Sequence, residues 1–159
     1  MANTKINKNF VKSNMRSFAD EELKTTIVCT SAGASGIIDT RSFGNSKNRK
    51  TYVSVSPNES VSFADTDTLT LVITTGNEST ADDKTLYSET FTATSAIDFA
   101  IDAEMVGVVK DSDNSWLALT DIELPSTTDR FVKFTLSTEA GDGAEDKSFT
   151  CRLMAKSFI

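Results

Sequence analysis

Arg130-Phe131-Val132-Lys133-Phe134-Thr135-Leu136 and Leu69-Thr70-Leu71-Val72-Ile73-Thr74-Thr75 are the stretches whose reading decides the fold. In the first, Val132, Phe134 and Leu136 alternate with Phe131, Lys133 and Thr135. One side of an extended backbone is then apolar and the other mixed, as a half-buried antiparallel strand requires. The second is rich enough in β-branched residues to favour a strand on composition alone. Working outward from these two, short strands are expected at 24–30, 35–41, 50–56, 60–64, 67–75, 86–92, 97–101, 104–110, 115–119, 120–124, 129–138 and 147–157. Runs of Gly, Asn, Asp and Ser separate them, at 44–48, 76–83, 111–114 and 139–146. The last run joins two strong strands and is expected to be a hairpin loop. Nothing keeps a helical period for long, so the pattern indicates an antiparallel sandwich or jelly roll and not a βαβ fold.

The chain has 159 residues, 38% hydrophobic and 25% charged. That is the size and composition of one domain with its own core. Charge is placed unevenly around the total of −7: residues 1–50 carry nine Lys or Arg against four acids, whereas residues 51–129 carry two against fifteen. Lys5, Lys8, Lys12 and Arg16 precede any acid, interspersed with Phe10, Met15 and Phe18. We read residues 1–23 as a basic N-terminal arm, extended or forming a short amphipathic helix on docking, and 24–159 as the β-sandwich domain. Asp20-Glu21-Glu22 is expected to be a turn between them. A second basic run holds Arg41, Lys47, Arg49 and Lys50.

The sequence contains no histidine, which removes Ser-His-Asp and Cys-His nucleophilic sites and most zinc sites. Cys29 and Cys151 lack C-x-x-C spacing and fall in apolar strands, so buried free thiols are expected, with a disulfide or a reactive thiol as the alternatives. Asp65, Asp67, Asp82, Asp83, Asp98, Asp102 and Glu104 lie in or beside polar runs, where solvated acids are the default over a paired-acid hydrolase. Asp111-Ser-Asp-Asn-Ser opens like a calcium loop, but Trp116 and Ile122 stand where that loop needs Gly and a bidentate Glu. Neither enzymatic activity nor a cofactor or metal is expected. No stretch reaches the roughly 20 apolar residues of a membrane helix, and no signal core follows Met1, so synthesis in the cytosol of the producing cell without membrane association is expected. The fifteen acids of the middle region would repel a polyanion, which argues against direct nucleic-acid binding and for an acidic protein surface as the partner.

Four stretches resemble the jelly-roll cement, or decoration, proteins that stabilise the capsids of tailed bacteriophages. They are Ser31 to Thr40, Leu69 to Thr80, Leu119 to Arg130 with Leu124-Pro125 leading into the aromatic strand, and the closing hairpin whose second strand ends in Leu153-Met154-Ala155. The arm is longer than such a protein needs. The resemblance implies a jelly roll seated on the outside of an assembled head, as a homotrimer that bridges subunits of the major capsid protein. Attachment would fall to Lys5, Lys8, Phe10, Lys12, Met15, Arg16, Phe18, Arg41, Lys47, Arg49 and Lys50. The alternative is a head-fibre or tail-associated module that recognises a receptor or glycan.

Overall fold

The computed structural model describes residues 21–40, 49–103, 105–107, 117–119, 122–125 and 129–157. They form β1 (Glu21–Val28), β2 (Ala34–Asp39), β3 (Arg49–Pro57), β4 (Val61–Phe63), β5 (Thr68–Gly76), β6 (Lys84–Thr92), β7 (Ile97–Phe99), β8 (Val106–Gly107), β9 (Leu117–Ala118), β10 (Ile122–Glu123), β11 (Phe131–Ser137) and β12 (Ser148–Ser157). Alternation places the side chains as expected: along β5, Leu69, Leu71, Ile73 and Thr75 are buried while Thr68, Thr70, Val72 and Thr74 face outward. Along β11, Val132, Phe134 and Leu136 are buried.

Two four-stranded sheets carry the fold, sheet 1 in the order β1-β12-β3-β10 and sheet 2 in the order β2-β11-β5-β6. The antiparallel pairings are mirrored along the chain: first strand with last, β1 with β12; then β2 with β11, β3 with β10, and β5 with β6. This is one long antiparallel ribbon, bent back between β5 and β6 and wound about a core. The winding is completed where β12 meets β3 and β11 meets β5. The result is an all-β jelly-roll sandwich. Two small pairs, β4–β7 and β8–β9, lie beside it. Phe63, Phe91 and Phe99, from β4, β6 and β7, pack their rings at centroid distances of 5.5, 5.7 and 6.2 Å and tie the first small pair to the core.

Two expectations need correction. Glu21 and Glu22 are not in a turn: β1 begins at Glu21, inside the segment read as arm, because residues 21–28 pair along their length with β12. Glu22 is exposed, and its carboxylate meets Arg152 of β12 at 3.3 Å, so the acid is compatible with the strand. The Gly-rich run 139–146 is also not a hairpin loop, since β11 lies in sheet 2 and β12 in sheet 1. Both edges of β11 are already taken by β2 and β5, and both edges of β12 by β1 and β3. The connection must therefore cross between the sheets. It is held by Gly143 N donating to Asp67 Oδ2 (2.8 Å), Thr68 N donating to Asp142 Oδ2 (2.8 Å) and Asp146 N donating to Cys29 O (2.8 Å).

At one corner the sheets close tightly. Gly36 of β2 faces β1, and a Cβ there would lie 2.4 Å from Thr25 Oγ1 and 2.8 Å from Thr25 Cγ2. Only glycine admits that approach. Cys29 and Cys151 are both buried and free. Cys29 lies opposite Lys147, whereas Cys151 pairs with Thr25, so four residues of ladder separate them. That is roughly 13 Å at the strand rise, beyond the ~7 Å that a disulfide tolerates between Cα atoms. Burial pushes Cys29 up to about 11, helped by Asp146 and Glu145, and pushes Cys151 up to about 12. Tyr87 is likewise pushed up to about 12, by burial and then by Glu89.

Two outcomes are expected. Gly36→Ala lowers stability in urea by about 1–3 kcal/mol through overpacking, and adding Thr25→Ala recovers part of the loss. The second concerns alkali. The unfolded chain releases its thiol protons from their ordinary value of 9.0, while the folded chain holds them to about 11 and 12. Stability is therefore complete below pH 9 and falls as the pH rises from there through the folded values. Urea midpoints taken at rising pH should show this decline, and Cys29→Ala with Cys151→Ala should blunt it. Neither thiol of the native wild-type chain should react with a disulfide reagent at pH 8.

Candidate interaction surfaces

Antiparallel register decides which side chains share the outer face of sheet 1. Lys24 of β1 lies opposite Arg152 of β12, and Arg152 opposite Ser54 of β3. Two cations therefore sit side by side, although like charges directly opposite each other destabilise a sheet. Arg152 leans away, its Nε 3.3 Å from Glu22 Oε1 and its Nη1 donating to Ser56 Oγ at 2.5 Å. Four residues further along β12, Lys156 lies opposite Lys50 of β3. The Lys50 ammonium is 3.2 Å from Glu123 Oε1 on β10, with both side chains half exposed. Lys24 is exposed.

Of the residues expected to make attachments, Arg49 and Lys50 open β3 and lie on sheet 1. Lys5, Lys8, Phe10, Lys12, Met15, Arg16, Phe18, Arg41 and Lys47 lie outside the described residues, as do the Asp111 loop, Trp116 and Glu104. The structure adds Lys24 and Arg152 to Lys50. Sequence reading passed over both because a lone base at an outward strand position is ordinary. Only the pairing of β1 with β12 makes them neighbours.

The outer face of sheet 2 has different chemistry. Ser35 and Thr135 share a hydrogen bond at 2.9 Å, as do Thr70 and Thr90. Val72 and the 43%-exposed Ile37 stand among these hydroxyls. Lys133 is paired with Asp82 from the β5–β6 connection. At one end Arg130 donates from Nε and Nη2 to the Asp39 carboxylate at 2.9–3.3 Å, and its guanidinium stacks 4.6 Å from the Phe131 ring centroid. That pair raises the Arg130 pKa, first through the hydrogen bond. Arg130 N donates to Asn77 Oδ1, and Thr75 Oγ1 donates to Asp129 Oδ2 at 2.9 Å, so the ends of β2, β5 and β11 are bound together.

Two of the acids weighed for catalysis have structural partners. Asp67 accepts from Ala64 N and Gly143 N, and Asp82 pairs with Lys133. Asp65, Asp83, Asp98 and Asp102 are exposed. Among the described residues no three Cys, Asp or Glu side chains are grouped to hold a metal ion.

No protein-family model matches the chain, and no curated protein matches it. Among solved structures it overlays on two of infectious bursal disease virus. For the Gx strain the identity is 12% and the TM-score 0.23, over 87% of this chain and 38% of that one. For the Gt strain they are 12% and 0.22, over 86% and 38%. This chain thus spans well under half the length of the chains it is laid upon, and overlays at these TM-scores carry no argument about its role. The mirrored strand order is what establishes the fold: a jelly roll with a charged outer face on sheet 1 and a hydroxyl-rich one on sheet 2.

Proposed function

We propose that the protein is a virion structural component that binds the outside of an assembled phage capsid and stabilises it by bridging neighbouring capsid subunits. The observation that carries this reading is the like-charged register on sheet 1, Lys24 opposite Arg152, with exposed Lys50 on the same outer face. A chain with net charge −7 gathers cations there at a cost to its own stability. An acidic surface of another protein would offset that cost. Along the sequence, Lys24 lies in the first strand, eight residues after Arg16.

The jelly roll, an architecture used by viral capsid domains and by lectins, is compatible with such a role without establishing it. Attachment divides between the body and the arm. The body supplies a preformed, partly compensated charged face with Lys24 exposed on it, and each Phe of the arm that becomes fully desolvated contributes about 1.5–3 kcal/mol before ordering costs. Repetition over many capsid sites adds avidity.

Two expected outcomes test the reading. Deleting residues 1–18 leaves a folded body, by circular dichroism, that no longer co-sediments with purified heads; retained binding would remove the arm from the attachment. Lys24→Glu separates stability from binding. It replaces a like-charged register by an opposite-charged one, so stability should hold or rise by ~0.2–1 kcal/mol. Binding to heads should fall, and most at low salt, where exposed charges are least screened. Unchanged binding would count against sheet 1 as the attachment face.

A further inference from the structure

Three of the four edge strands of the two main sheets are dealt with inside the fold. β1 and β2 turn toward each other at the corner that Gly36 closes, and β10 is two residues long. β6 is different. It has nine residues and no proline, and Lys84, Thr85, Ser88, Glu89 and Thr90 are exposed along it. A strand of that length at a sheet edge presents backbone donors and acceptors in the spacing another strand needs.

The register along β6 contains one irregularity. Tyr87 lies opposite Ile73 and Thr85 opposite Thr74, so Leu86 is an extra residue, a β-bulge. In a regular strand residues 84 and 89 would point to opposite faces. The bulge changes the phase: Lys84 lies opposite buried Thr75 and Glu89 opposite buried Leu71, on the same inward-facing side of the strand. Thr85 and Ser88, opposite outward-facing Thr74 and Val72, likewise share the outer side. Among the described residues neither Lys84 nor Glu89 takes part in an ion pair.

We propose that β6 pairs antiparallel with β6 of a second copy of this chain, about a twofold axis passing between Leu86 and Tyr87, joining the two copies of sheet 2 into one eight-stranded sheet. In that register Lys84 of each copy lies opposite Glu89 of the other, and Thr85 opposite Ser88. Every opposed pair flanking the axis then falls on a common face, which the bulge alone makes possible. The charges are self-complementary, as a twofold contact demands. The strand's one Lys and one Glu also balance, so two copies of net charge −7 meet along a strand that itself carries no net charge. This contact goes beyond the capsid reading and is independent of it, since it is measured on the isolated chain.

Sedimentation equilibrium of the full chain, from about 1 µM to about 500 µM, should show a monomer–dimer equilibrium. Lys84→Glu alone and Glu89→Lys alone should each weaken the dimer at least about tenfold, because each places like charges across the strands at both ends. The deciding arm mixes those two variants in equal amounts. One copy then offers two carboxylates and the other two ammonium groups, and the mixture should dimerise although neither variant does alone. Its recovery also shows that both variants are folded. A chain that stays monomeric throughout, a trimer indifferent to either substitution, or a mixture no tighter than its components would overturn the proposal.

Discussion

The pairing of β1 with β12 brings together residues 21–28 and 148–155, and the rest of the molecule depends on that long-range contact. Each central strand needs a partner on both edges, and in the wound ribbon those partners come from distant parts of the chain. β12 is flanked by β1 and β3, and β11 by β2 and β5. The core inherits this non-locality. Ile27 and Phe149, opposite each other across the first and last strands, help to enclose the same interior as Leu71, Ile73 and Phe134. Loop-closure entropy must be met before such contacts return anything, so folding should be slow for the chain's size and cooperative once the ends have met.

Local pattern disclosed the strands well and their partnerships poorly. Alternation in β5 and β11, and in the Phe149-Cys151-Leu153-Ala155 series of β12, identified extended segments and their buried sides because burial on one face imposes a period of two. Which sheet each strand joins leaves no comparable trace. A turn-rich run between two strong strands reads as a hairpin, and only saturation of both edges of β11 and β12 shows why residues 139–146 cross between sheets instead. Glu21 and Glu22 read as a turn for the same reason, since acids are poor strand formers until a partner such as Arg152 is supplied from far along the chain. Gly36 fell within the strand expected at 35–41, and its requirement comes from Thr25 on another strand.

The candidate surfaces follow the same division. Lys50 was legible as part of a basic run, whereas Lys24 and Arg152 acquire meaning only as a cross-strand pair. The two outer faces then differ in what they can do. Sheet 1 presents charges in partly compensated rows and suits a partner that supplies anions. Sheet 2 presents mutually bonded hydroxyls with β-branched methyl groups, while its charges, Lys133, Arg130 and Asp39, are committed to ion pairs within the chain. A molecule built this way can be sticky on one side and indifferent on the other, which is useful wherever copies must line a surface without stacking upon one another.

The last strand occupies an interior position in sheet 1, and this has a consequence for synthesis. Until the ribosome has released β12, β1 and β3 have no strand between them, and Arg152 does not yet exist beside Lys24. A chain terminated early therefore lacks the sheet as well as its charged outer face. Completeness of translation through β12 becomes a condition for presenting that outer face at all.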